Sequence, residues 1–117
     1  AILVMFAIAG AASPEDQMMD AIKSNKVQIF SKSYCPFCKK TKALFTSLGV
    51  DFNADELDQM PDGASIQNEL NKLTGQRTVP NVFIGAKHVG GNDDVHKAKE
   101  DGKLKVLLKE AGVKSEL

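Results

Sequence analysis

The sequence predicts an α/β fold, a small four-stranded mixed sheet flanked by helices on both faces, and three observations carry that expectation. The chain has 117 residues, enough for one domain with one modest core. Between Val27 and Gly75, β-type runs alternate with stretches of helical apolar spacing, in the order strand, helix, strand, helix. Two further β-type runs around Gly85 then read as a hairpin, and helical patterns close the chain.

The elements follow in order. Ala1–Ala12 carry no charge, and the run is shorter than the about 20 residues that span a bilayer but matches a signal-peptide core of about 7–15 residues. No basic stretch precedes it, so a signal or anchor remnant and a loosely docked tail both stay open. The folded domain is expected over residues 13–113. Ser13-Pro14-Glu15-Asp16 supplies a cap, a proline at the first helical position and an acidic first turn, with Met18, Ala21 and Ile22 at helical spacing behind it. Val27–Phe30 is a short strand that gives way to loop at Ser31-Lys32-Ser33. Pro36 then starts a helix whose apolar face is Phe37, Thr41, Leu44, Phe45 and Leu48, stopped at Gly49. Val50–Ala54 alternates as a second strand should, and Pro61 is expected to open a helix through Ile66, Leu70 and Leu73 to Gly75. After the Val82–Val89 hairpin, Gly90-Gly91 makes a loop, Asn92-Asp93-Asp94 caps a helix through Ala98, and Leu104, Val106, Leu107 and Leu108 mark a last helix ending near Gly112. Residues 114–117 form a C-terminal tail, Lys-Ser-Glu-Leu, one substitution from a lumenal retention signal. The expected address is therefore either the cytoplasm or the secretory pathway and endoplasmic-reticulum lumen.

Composition excludes whole classes of function. Fifteen basic residues balance fifteen acidic ones, so no global field exists to grip nucleic acid or an anionic membrane. Two cysteines cannot build a multi-bridge secreted scaffold or a four-cysteine zinc site. His88 and His96 lie outside any zinc spacing to them, are assigned to the hairpin and to a helix surface, and no metal is expected.

What remains is a pair of thiols. Cys35 and Cys38 lie three apart at a helix start, which puts them on adjacent turns of one face, within reach of a disulfide. At the N-cap, the sulfur of Cys35 meets unpaired amide N–H groups and the positive end of the helix dipole, which favours the thiolate. Lys26, Lys32, Lys39, Lys40 and Lys42 add five cations between Lys26 and Val50 with no carboxylate. Cys38, one turn inside, is expected to be buried and to resolve rather than attack. Two merely packed cysteines, or a metal half-site shared between chains, are the alternatives.

With Ser31-Lys32-Ser33-Tyr34-Cys35-Pro36-Phe37-Cys38, then Thr78-Val79-Pro80, then Gly90-Gly91-Asn92-Asp93-Asp94, the chain resembles the glutaredoxins over about Met18 to Gly112. The motif is similar to the dithiol Cys-Pro-Tyr-Cys class, with Phe37 in place of tyrosine, and the absence of tryptophan separates it from thioredoxin. The resemblance implies a thioredoxin-like fold and glutathione-dependent reduction of protein disulfides and protein-glutathione mixed disulfides. It implies that Lys32 and Gln67 hold the glycine carboxylate of glutathione, with Arg77 on the same rim, and that Phe37 keeps an aromatic face at the site. Thr78, Val79 and a cis Pro80 would present a strand edge to the glutathione cysteine. Gly91, Asn92 and Asp93 would meet the γ-glutamyl group, amides to its carboxylate and the Asp to its ammonium.

On this reading Cys35 attacks and Cys38 releases, with glutathione the reductant, glutathionylated or disulfide-containing proteins the partners and the protein a monomer. Two rivals remain. One is a 2Fe-2S cluster held between two protomers by Cys35 and glutathione, which Pro36 disfavours. The other is a lumenal disulfide oxidase or isomerase.

Overall fold

The computed structural model describes residues 12–117. The Ala1–Ala12 run therefore lies almost wholly outside the described residues. In chain order the elements are α1 (Pro14–Ser24), β1 (Val27–Ser31), α2 (Pro36–Ser47), β2 (Asn53–Glu56), a 3-10 turn (Leu57–Gln59), α3 (Gly63–Thr74), β3 (Asn81–Ile84), β4 (Lys87–Gly90), α4 (Asn92–Glu100) and α5 (Lys103–Glu110).

The four strands form one mixed sheet in the order β2-β1-β3-β4. β1 pairs with β2 in parallel and with β3 antiparallel, and β3 pairs antiparallel with β4. The buried strands β1 and β3 divide their side chains between two cores, as the twofold alternation of a strand requires. Val27, Ile29, Val82 and Ile84 meet Phe45, Val95, Leu104 and Leu108 from α2, α4 and α5. Phe30 and Phe83 point the other way, onto Met18, Ile22, Ile66 and Leu70 from α1 and α3. Helices thus cover both faces, and the rings of Phe30 and Phe83 meet edge-on at 6.0 Å.

Three local expectations shift. The second strand is Asn53–Glu56 rather than Val50–Ala54. Val50 instead closes the end of α2, its N–H donating to the Phe45 carbonyl at 2.9 Å, while Phe52 packs on Phe45. Both apolar residues are thus spent on the α2 return, and the ladder begins where Asn53 reaches Gln28. The third helix opens at Gly63, not Pro61. The Gly63 N–H donates to the Met60 carbonyl at 3.1 Å, so Pro61 occupies the second position of a turn that its fixed φ suits. The fourth helix is capped by Gly91, with Asn92 already its first residue and Asp94 accepting the Gly91 N–H at 2.9 Å.

The hairpin turn is Gly85-Ala86, both at positive φ (56° and 65°), the two-residue geometry that follows the twist of its strands. At the C-terminus the Glu116 N–H donates to the Leu48 carbonyl at 2.8 Å, and Leu117 packs against the α2–α4–α5 core. That packing lies at the end of α2 remote from the cysteines.

Candidate active site

Cys35 ends the loop after β1 and caps α2. Its N–H donates to the Lys32 carbonyl at 3.1 Å, and its sulfur accepts the Cys38 N–H at 3.2 Å. Pro36 follows at the first helical position, where its missing N–H costs nothing. The loop before the cysteine is tethered from the 3-10 turn: the N–H and hydroxyl of Ser33 both donate to the Asp58 carboxylate, the N–H at 2.9 Å. Those two bonds, hydroxyl first, hold the Asp58 carboxyl below its ordinary range.

The two thiols are free and unequal. Cys35 is half-buried at the surface, whereas Cys38 has no exposed area. Burial, and then the hydrogen bond to Cys35, push the Cys38 thiol up to about 11. A half-buried sulfur accepting a helix N–H beside a fully buried thiol is the asymmetry expected of an attacking and a resolving cysteine.

Beside Cys35 runs a groove of about 450 Å³. Phe37 lines one wall, Thr78, Val79 and Pro80 another, and Gly91, Asn92 and Asp93 the third. Those seven of the ten residues expected at a glutathione site therefore converge in one groove, which Val79 joins to Cys35. The Val79–Pro80 bond is cis, and the Cys35 thiol donates to the Val79 carbonyl at 3.8 Å. Lys32, Gln67 and Arg77 do not line the groove. Lys32 is held beside Cys35 by the loop, while Gln67 donates to the Arg77 carbonyl at 2.8 Å and the Arg77 guanidinium donates to Asn68. Gln67 and Arg77 thus form a linked pair on the α3–β3 side.

Asn92 corrects part of the expectation: its side-chain oxygen accepts the hydroxyl of buried Thr41 at 2.9 Å, tying α4 to α2. Its backbone N–H, at the start of α4, is what remains for a ligand carboxylate. The lysine cluster is also narrower than the sequence implies. Lys42 pairs with Glu56 at 2.5 Å and Lys26 reaches the Gly112 carbonyl, leaving Lys32, Lys39 and Lys40 near the cysteines. His96 is half-buried on α4 with its Nε2 atom occluded, rather than a surface residue. His88 lies on β4 with Nε2 2.8 Å from the Asn81 side-chain oxygen, and burial lowers its pKa.

One groove residue, Gln76, escaped the sequence reading, while Asp94, read there as part of the helix cap, also lines the groove. Gln76 donates from Nε2 to both the Thr78 and Pro80 carbonyls at 3.0 Å, clamping the loop that carries Val79. Asp94 caps Gly91. The only sequence signal for Gln76 was a polar residue next to the helix-ending Gly75, which any loop supplies.

Comparison with known proteins agrees with this geometry. The family model for glutaredoxin matches residues 27–89. Glutaredoxin-C6 of Oryza sativa subsp. japonica is 53% identical over 93 residues, covering 80% of this chain and 83% of that protein. Glutaredoxin-C4 of Arabidopsis thaliana is 50% identical over 105 residues, covering 89% and 78%. The crystal structure of a buckwheat glutaredoxin-glutathione complex superposes with a TM-score of 0.83 at 47% identity, covering 85% of this chain and 90% of that one.

Proposed function

The chain belongs to the glutaredoxin family, and on that premise we propose that it is a glutathione-dependent dithiol oxidoreductase in which Cys35 is the nucleophile and Cys38 the resolving thiol. One observation carries the reading: the Cys35 sulfur, held by the Cys38 N–H at the N-cap of α2, borders a groove of about 450 Å³ walled by Thr78-Val79-Pro80 and by Gly91-Asn92-Asp93.

In the monothiol reaction the Cys35 thiolate attacks the glutathione sulfur of a mixed disulfide. The bond between that sulfur and the target sulfur breaks, the target leaves as a thiolate that takes a proton from water, and glutathione stays on Cys35. A second glutathione thiolate attacks the glutathione sulfur of this intermediate, releasing glutathione disulfide and restoring Cys35. For a protein disulfide, the Cys35 thiolate attacks one target sulfur, the target S–S bond breaks, and the other target sulfur leaves as a thiolate that takes a proton from water. Cys38 then gives up its proton and attacks the Cys35 sulfur, so the target leaves reduced and the electron pair has come from the two cysteines. Two glutathiones reduce the Cys35–Cys38 bridge.

The groove suits glutathione chemically. Val79 can pair through its backbone with the cysteinyl unit of the peptide. Amide N–H groups at the start of α4 donate to its γ-glutamyl carboxylate, Asp93 meets its ammonium, and Lys32 is the cation for its glycine carboxylate. Arg77, linked to Gln67 on the α3–β3 side, adds a second cation outside the groove.

The test is turnover of a small glutathione mixed disulfide by the wild type, Cys35→Ser and Cys38→Ser. Activity in the wild type and Cys38→Ser, with loss of more than 100-fold in Cys35→Ser, is expected of a unique nucleophile, on the order of what loss of a catalytic group costs. Full activity in Cys35→Ser would overturn the assignment.

A further inference from the structure

Beside Cys35, one surface extends beyond the groove and shares only Phe37 with it. Tyr34, immediately before Cys35, is 66% exposed, and Phe37, on the first turn of α2, is 54% exposed. Lys40 lies over the Phe37 ring at 5.1 Å from its centroid, and Lys39 stands exposed beside it. Neither lysine is ion-paired among the described residues, in contrast to Lys42, whose charge is taken by Glu56. The nearby acids face elsewhere: Asp58 is engaged by Ser33, while Asp93 and Asp94 lie across the groove on α4. Two exposed aromatic rings beside two unpaired cations give this face both apolar contact area and uncompensated positive charge.

We propose that the face made by Tyr34, Phe37, Lys39 and Lys40 receives the protein part of the mixed disulfide and selects substrates whose target cysteine is flanked by acidic residues. This rests on the reaction assigned above, because it places the leaving group of that reaction. With glutathione in the groove, displacement at its sulfur runs in line, so the target sulfur leaves on the side of that sulfur away from Cys35, and its protein rests on the surface bordering the groove, where Tyr34, Phe37, Lys39 and Lys40 lie. There the rings supply contact area and the lysines supply the charge that an acidic flank complements. Phe37 thus borders both partners, lining the groove and lying under Lys40.

The experiment uses three substrates: two glutathionylated peptides of equal length, one with glutamates and one with lysines flanking the cysteine, and a small neutral glutathione mixed disulfide. The acidic peptide is expected to have a kcat/KM about three- to tenfold above the basic one at low ionic strength, from two exposed charge pairs. The ratio should fall toward one at about 0.5 M salt, where screening acts within a few ångström. Lys39→Glu/Lys40→Glu should reverse the preference, and reading the ratio within each protein cancels any change in basal rate. Equal kcat/KM for the two peptides, or a preference for the basic one, overturns the docking surface while turnover of the small substrate leaves the reaction standing. Failure to turn over any of the three overturns the reaction itself.

Discussion

The Cys38 N–H donates to the Cys35 sulfur at 3.2 Å, so in the proposed reaction the resolving residue also holds the attacking one. The backbone of Cys38 donates to Cys35 while its own side chain lies in the core, with no exposed area. One turn of helix thereby gives two identical side chains opposite electrostatic surroundings.

The buried thiol makes stability depend on pH. The Cys38 thiol rises from 9.0 to about 11 on folding, so its neutral form favours the native state at all pH values below 9. That contribution is lost as pH climbs through 11, because the unfolded chain releases the proton first. In reducing conditions, the stability of the wild type relative to Cys38→Ser should be constant up to pH 9 and should decline between pH 9 and 11, by on the order of 2 kcal/mol. Denaturant titrations across that window measure it, and a flat difference would contradict the burial.

Gln76 clamps the ligand loop from one side chain. Gln76→Ala leaves the Thr78 and Pro80 carbonyls without its amide, and the loop that presents Val79 loosens. The expected result is a rise in KM for the glutathione mixed disulfide of about three- to tenfold, with a smaller change in stability. An unchanged KM would show that the loop holds its shape without the clamp.

Gly90 is at φ 123°, and a Cβ there would lie 2.3 Å from the Asp94 carboxylate oxygen. Gly90→Ala must therefore strain the backbone and displace the cap on Gly91 at the start of α4. A loss of about 1–3 kcal/mol in unfolding free energy is expected, together with weaker glutathione binding by calorimetry. Unaltered values for both would remove the cap from the account.

Thr41 joins the two helices that carry the site. Thr41→Val keeps the volume but leaves the Asn92 side-chain oxygen without its donor across the α2–α4 contact. The expected cost is about 1–2 kcal/mol in chemical denaturation, with Cys35 reactivity toward a thiol reagent retained. No loss of stability would mean that Asn92 finds another partner.

The chain declared the site wherever chemistry is local. Cys35 before Pro36 is an N-cap by the rules of helix starts, and three apolar and turn patterns around it define a strand–loop–helix from neighbouring residues alone. The thiol asymmetry follows from that position, and so do the capped α1 and the hairpin at Gly85. Only the three-dimensional packing decided what lies between distant segments. The alternation at Val50–Ala54 could not reveal that Val50 and Phe52 close the α2 return, because a strand is defined by its partner. Lys42 lost its place in the cationic surround to Glu56, 14 residues away, and Asn92 gave its side chain to Thr41, 51 residues away. Gln76 acquired its role only when Thr78 and Pro80 turned their carbonyls toward it. Backbone caps and turns are written in adjacent residues; which polar groups satisfy one another across the fold is settled only when burial forces each to find a partner.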